Sequence, residues 1–276
     1  MTAAAPLRLG RISFVNVLPV HLHLAADPVL FSEHPDPPSA LNHRLAAGEL
    51  DLAAVSSVEY ARRSADYVIL AGLGLSSQGP VGSVLLLSHQ PRAAWVGGEI
   101  EAPFESETSV ALLKVFLARL WGLDCRVVAE GQGRDPKACL RIGDRAITAA
   151  RSGQYAHVID LGQVWHRWTG LPLVYALWVA RKQVAEERPV DLARLHAALL
   201  RARDKGVADR KGCAAEAARR LGGDAAYYRE YFARLRYGLG AEELAGLRRF
   251  YEELAAVGEL VPAPELAVWE GVRLRV

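Results

Sequence analysis

Short extended runs alternate with helical stretches twice along this chain, and a solid block of helices then closes it. Leu7 to Ile12 alternates apolar and polar residues as a half-buried strand does. Asn16 to Leu24 reads as a helix, with Asn16 a candidate cap and Pro19 in its first turn. Val29–Phe31 reads as a short strand, followed by a proline-rich loop from His34 to Pro38. Ser39–Ala47 is helical and stops at Gly48. Leu52–Val55 reads as a buried strand, with the helix Ser57–Arg63 behind it. Tyr67–Ala71 and Ser83–Leu87 are further strands on either side of a turn-rich stretch, Gly72 to Gly82. From Pro91 the pattern restarts. Thr108 to Trp121 is a strong helix, with Ala111, Leu112, Val115, Phe116 and Leu120 on one face. Arg126–Ala129, Cys139–Ile142, His157–Leu161 and the long apolar Leu173–Ala180 read as strands, with helices over Asp144–Arg151 and Gly162–Trp168. After Pro189 the chain is helical: Leu192–Lys205, Ala208–Leu221, Ala225–Leu235 and Glu242–Val257.

Such alternation implies mainly parallel sheets covered by helices. Two units joined by extended crossings near Ser83–Pro91 and Leu173–Arg181 predict two hinged lobes. Residues 1–90 and 182–276 would form one lobe and 91–175 the other, with 176–181 crossing between them. A chain of 276 residues suits this division, because single cores tend to split at about 250–300 residues.

Composition removes several function classes. The 33 Lys and Arg nearly balance 31 Asp and Glu, and the arginine groups sit among acidic residues on helical faces. No basic stripe points to nucleic acid. No apolar run is long enough to span a membrane. The Ala-rich start lacks the basic residues and long apolar stretch of a signal peptide, so a cytoplasmic location is expected. The 3 cysteines, Cys125, Cys139 and Cys213, have no metal-like spacing and are odd in number, so neither a zinc site nor a disulfide framework is expected. The histidines show no HExxH pattern, and there is no phosphate-binding glycine loop and no GxSxG elbow. Trp165, Trp168 and Trp178 read as core.

Ligands of open α/β sheets bind where strands end and helices begin. Four places qualify. Asn16, after the first strand, is a helix cap or a ligand contact. Ser56 with Glu59 fits a capping box, and Ser57 beside it points to the cleft or to solvent. Ser83, at the end of Gly79-Pro80-Val81-Gly82-Ser83, faces the cleft or the back of a sheet. Ser106-Glu107-Thr108-Ser109 opens the strong helix, whose free N–H groups suit an anion as well as simple capping.

Six stretches occur in one order: Gly10-Arg11-Ile12-Ser13-Phe14-Val15-Asn16-Val17-Leu18-Pro19, Ser56-Ser57-Val58-Glu59-Tyr60, Gly79-Pro80-Val81-x-Ser83-Val84, Ser106-x-Thr108-Ser109, Ile142-Gly143-Asp144, and Asp160-Leu161-Gly162-x-x-Trp165-x-x-x-Thr169-Gly170-Leu171-Pro172. Together they resemble the chorismate dehydratase family of the futalosine route to menaquinone, over residues 10 to about 180. The resemblance implies a two-lobed α/β fold of the periplasmic-binding-protein-like type II class, closed by a helical C-terminal block. It implies the conversion of chorismate to 3-[(1-carboxyvinyl)oxy]benzoate and water. A sister family of the same route, which forms a naphthoate, carries a catalytic histidine in an Ile-His-Glu motif. Gly143 stands at that place here, so the sister chemistry is not expected. No metal or organic cofactor is expected, and chorismate is the only partner that the resemblance implies. Asn16 and Ser83 are the expected catalytic residues, and Ser56, Ser57, Thr108 and Ser109 the expected substrate contacts. A non-enzymatic carboxylate-binding protein of the same fold is the competing reading, since fold does not fix function.

Overall fold

The computed structural model describes residues 5–103, 107–260 and 262–271. The strands are β1 (Leu7–Ile12), β2 (Phe31–Asp36), β3 (Leu52–Ser56), β4 (Tyr67–Ser77), β5 (Val84–Ser88), β6 (Glu99–Ala102), β7 (Arg126–Ala129), β8 (Pro136–Ile142), β9 (His157–Asp160), β10 (Leu173–Arg181), β11 (Leu235–Arg236) and β12 (Val268–Trp269). The helices are α1 (Leu18–His21), α2 (Pro38–Ala46), α3 (Ser57–Arg62), α4 (Glu107–Val115), α5 (Gly143–Arg151), α6 (Leu161–Thr169), α7 (Lys182–Glu187), α8 (Pro189–Ala208), α9 (Arg210–Leu221), α10 (Ala225–Arg234) and α11 (Ala241–Ala256).

Two sheets result. The larger runs β11-β4-β10-β3-β1-β2, with β12 also on β4, and the smaller runs β7-β6-β8-β5-β9. The late helices lie on the larger sheet: α8 against α1 and β4, α10 against β11, α11 against β10. One continuous apolar core reaches from Leu7 through Leu86, Leu112 and Trp165 to Leu254. Trp165 and Trp178 are buried in it, as their apolar settings predict.

Several expectations need correction. The sheets are mixed rather than mainly parallel. β10 is antiparallel to β3 and β4, and β5 is antiparallel to β8 and β9. These are the strands that follow a passage between the sheets, and they enter running against their neighbours. For the same reason 176–181 is no crossing. It belongs to β10, which is paired on both sides within the larger sheet. The passages are the segments 78–83 and 161–172, and β5 already belongs to the smaller sheet, so that unit begins before residue 91. The stretch 72–77, expected as turns, continues β4. It bulges between Ile69 and Gly74, and Gly72 supplies the positive φ of 74°. β2 likewise runs into its expected loop. Pro35 is tolerated there because β2 is an edge strand.

Candidate active site

One cavity lies where the ends of β1 and β3, the 78–83 passage and the first turns of α4 and α5 converge. It encloses about 590 Å³ of atom-free space including its mouth. Asn16, Ser56, Ser83, Thr108 and Ser109 all line it. Chain positions from 16 to 109 thus meet at one place, as the rule for strand ends predicts.

Asn16 is not a helix cap. It sits in a short 3₁₀ turn, Val15–Val17, and the residue before α1 is Val17, which offers no side-chain bond. The turn is held from two distant elements. Asp144 at the start of α5 accepts from the Val15 N–H at 3.1 Å, and the Tyr237 hydroxyl donates to the Asn16 carbonyl at 2.9 Å. The side-chain Oδ1 of Asn16 is buried with no hydrogen-bond partner among the described residues. A buried orphan acceptor is costly by about 1–3 kcal/mol unless something donates to it, so it is a natural seat for a ligand hydroxyl or acid proton.

Ser83 lies in the loop just before β5 and is 3% exposed. Its carbonyl accepts from the Gly143 N–H at 2.8 Å, which ties the passage to α5. Its hydroxyl oxygen accepts from Tyr231 at 3.0 Å. The passage is also held by Asp160, which caps α6 and accepts from the N–H groups of Val81 at 3.1 Å and Gly82 at 2.7 Å. Burial pushes the Asp160 carboxyl up, and these N–H groups pull back against it.

Ser56 forms half of the expected capping box. Its hydroxyl accepts from the Glu59 N–H at 3.0 Å. The Glu59 carboxylate does not reach back; it accepts from Tyr67 at 3.0 Å instead. Ser57 is fully buried behind the cavity wall rather than lining it. Its hydroxyl meets Thr108 Oγ1 at 3.1 Å. Thr108 in turn donates to the Tyr175 carbonyl at 3.2 Å and accepts from the Val58 N–H at 3.4 Å. The Thr108 hydroxyl therefore joins α3, α4 and β10, and its one proton is already placed. Ser109 is buried in the cavity wall beside it. Ser106 lies outside the described residues.

Tyr175 and Tyr231 shape the site without having stood out in the sequence, whereas Phe14, Gly143 and Gly162 lie within its motif stretches. Tyr175 lines the cavity, and its hydroxyl is 2.9 Å from Ser77 Oγ. Gly162 makes room for that hydroxyl, because a Cβ there would lie 2.4 Å from it. Phe14 covers Gly143, which has a φ of +53° and whose Cβ would come within 2.7 Å of the ring. Tyr231 arrives from α10, a helix whose sequence reads only as amphipathic. Among the described residues no Lys, Arg, His, Asp or Glu lines the cavity. Among them, too, no three His, Cys, Asp or Glu side chains gather as metal ligands.

Residues 7–256 match the profile of the family described as menaquinone biosynthesis. The chain belongs to the menaquinone biosynthesis family. Within that family it is 32% identical to the chorismate dehydratase of Thermus thermophilus, over 90% of this chain and 95% of that protein. It is 30% identical to the 1,4-dihydroxy-6-naphtoate synthase of the same organism, over 53% of this chain and 54% of that one. Among solved structures, the periplasmic aliphatic sulphonate binding protein SsuA of Escherichia coli superposes with a TM-score of 0.67 at 17% identity, covering 99% of this chain and 94% of its own. The family member described here thus has the periplasmic-binding-protein-like α/β fold expected from its motifs.

Proposed function

We propose that this chain is a chorismate dehydratase, which converts chorismate to 3-[(1-carboxyvinyl)oxy]benzoate and water. The observation that carries the reading is the cavity wall. Amide, hydroxyl and helix N–H donors converge there, and no side chain suited to act as a base at neutral pH stands among the described residues of the wall. Burial holds the Tyr175 hydroxyl well above its ordinary range, so it stays protonated. The family profile and the similarity to the Thermus thermophilus chorismate dehydratase support the same reading.

Aromatisation removes the ring C3 proton and the C4 hydroxyl. The C3 proton is vinylogous to the ring carboxylate, so charge from its removal spreads onto that carboxylate. Donors placed at the developing charge lower the barrier. The first turn of α4 holds one substrate carboxylate by its N–H groups and Ser109. The second carboxylate, on the enolpyruvyl arm, takes the C3 proton and is held in place by Asn16 and Ser83. The C4 hydroxyl leaves and, with that proton, departs as water. Orientation of this kind can contribute several kcal/mol. No metal or organic cofactor enters the scheme. The two sheets are read as lobes that close on the substrate, and the enzyme as cytoplasmic, in keeping with three cysteines that all stand free.

The naphthoate-forming chemistry of the other relative is disfavoured at Gly143. A histidine there would have to adopt a positive φ, and its Cβ would overlap the Phe14 ring. The purified protein incubated with chorismate should release 3-[(1-carboxyvinyl)oxy]benzoate, identified by mass spectrometry. Unchanged chorismate at high enzyme concentration overturns the proposal and returns the reading to a carboxylate-binding protein.

A further inference from the structure

We propose that Tyr231 is a positioning residue for the elimination, whose hydroxyl donates to Ser83 Oγ and so commits the Ser83 proton to the substrate. The inference rests on the functional reading above and extends it to the C-terminal helical block. Three observations support it. First, the Tyr231 hydroxyl lies 3.0 Å from Ser83 Oγ, and the two residues are 2% and 3% exposed. Tyr231 is therefore shielded from water, while Ser83 meets the cavity on its other side. Second, Tyr231 is the only hydrogen-bond partner of the Ser83 side chain among the described residues. A serine hydroxyl has one proton and two acceptor positions. With one acceptor position filled from behind by Tyr231, the proton points to the side that holds no protein acceptor, and that side is the cavity. Third, the loop is shaped around the ring. A Cβ on Gly82 would sit 3.4 Å from the Tyr231 ring, so the ring rests directly on the residue before Ser83.

The chemistry follows from the direction of donation. A hydroxyl that accepts one hydrogen bond donates a stronger second one, because the two polarise each other. Burial keeps the Tyr231 phenol far above its ordinary range, so it remains a neutral donor at every working pH. Without it the Ser83 proton can rotate away from the enolpyruvyl carboxylate, and the carboxylate loses its aim at the C3 proton. Substrate affinity depends on several other donors and changes little.

The test is Tyr231→Phe, with Ser83→Ala, the double variant and Tyr228→Phe as companions. Tyr228 lies on the same helix, is equally buried, and donates to the Gly222 carbonyl away from the cavity. It reports the purely structural effect of losing a buried phenol. All variants are assayed well below the lowest melting temperature in the set. Tyr231→Phe is expected to lower kcat about tenfold and to move KM less than about threefold. Tyr228→Phe should leave kcat within about twofold of the wild type. The double variant should be no slower than Ser83→Ala alone, because Tyr231 acts only through Ser83. The inference is overturned if folded Tyr231→Phe keeps its kcat, if Tyr228→Phe loses as much, or if the losses at positions 231 and 83 multiply. A wild-type enzyme inert toward chorismate would instead overturn the functional reading, and the inference with it.

Discussion

Replacing Gly143 by alanine tests how the site is walled, and its effect can be worked out from two separate contributions. The first is backbone strain. Gly143 holds a φ of +53°, and a residue with a Cβ loses about 1–2 kcal/mol there. The second is contact. The new Cβ would lie 2.7, 2.9 and 3.0 Å from three carbons of the Phe14 ring, closer than packed carbons approach. The ring is only half-buried and must shift, which by analogy with overpacked cores costs about 1–3 kcal/mol. Together these give about 2–5 kcal/mol, or a melting temperature lower by about 5–15 °C for a chain of this size. Phe14 and Asn16 share one wall of the cavity, so the shifted ring should also raise the KM for chorismate several-fold. Thermal unfolding followed by circular dichroism, with steady-state kinetics on the same samples, measures both. Adding Phe14→Ala removes the contact and leaves the strain, so the cost of Gly143→Ala in that background should fall to about 1–2 kcal/mol. A melting temperature within about 1 °C of the wild type would refute the reasoning, because neither contribution would then be real.

Asn16→Ala removes no internal hydrogen bond of the side-chain oxygen and deletes a buried orphan acceptor, so melting should not fall while turnover falls about tenfold to a thousandfold; near-normal turnover would remove Asn16 from catalysis. Ser83→Ala should lose turnover in the same range and also melt a few degrees lower, because it orphans the Tyr231 hydroxyl. Thr108→Val breaks the junction of Ser57, Val58 and Tyr175 and should destabilise by roughly 2–4 kcal/mol. A KM raised tenfold with unchanged melting would show instead that its hydroxyl serves the ligand. Burial alone would raise the Asp51 carboxyl, but bonds from the side chain and backbone of Arg8 outweigh it and hold the group below its ordinary range. A depressed carboxyl stabilises above the unfolded value of about 4, and that stability is lost as pH falls through the lower folded value. Asp51→Asn should therefore melt lower than the wild type at pH 7, and the gap should close in acid; a gap independent of pH would contradict this linkage.

Local pattern carries much of this fold. The 3.6-residue period of the late helices and the apolar run of β10 follow from which side chains face water, and that information lies within a few neighbouring residues. Ser56 as the cap of α3 was legible in the same way, because its partner N–H is three residues away. Six short motifs put Asn16, Ser56, Ser57, Ser83, Thr108 and Ser109 at one site, and all of them but Ser57 line one cavity. Other features lay beyond such windows. β4 runs through its glycines because β10 supplies partners for them more than 100 residues later. The Thr108 hydroxyl is spent on internal partners, the Asn16 oxygen is left without one, and Ser83 is met by a tyrosine 148 positions away. The residue types at this site were therefore written in the sequence, whereas the direction of each proton was decided only in three dimensions. A side chain's burial depends on its own neighbours in the chain, but its hydrogen-bond partner depends on where the whole packed core brings distant segments together.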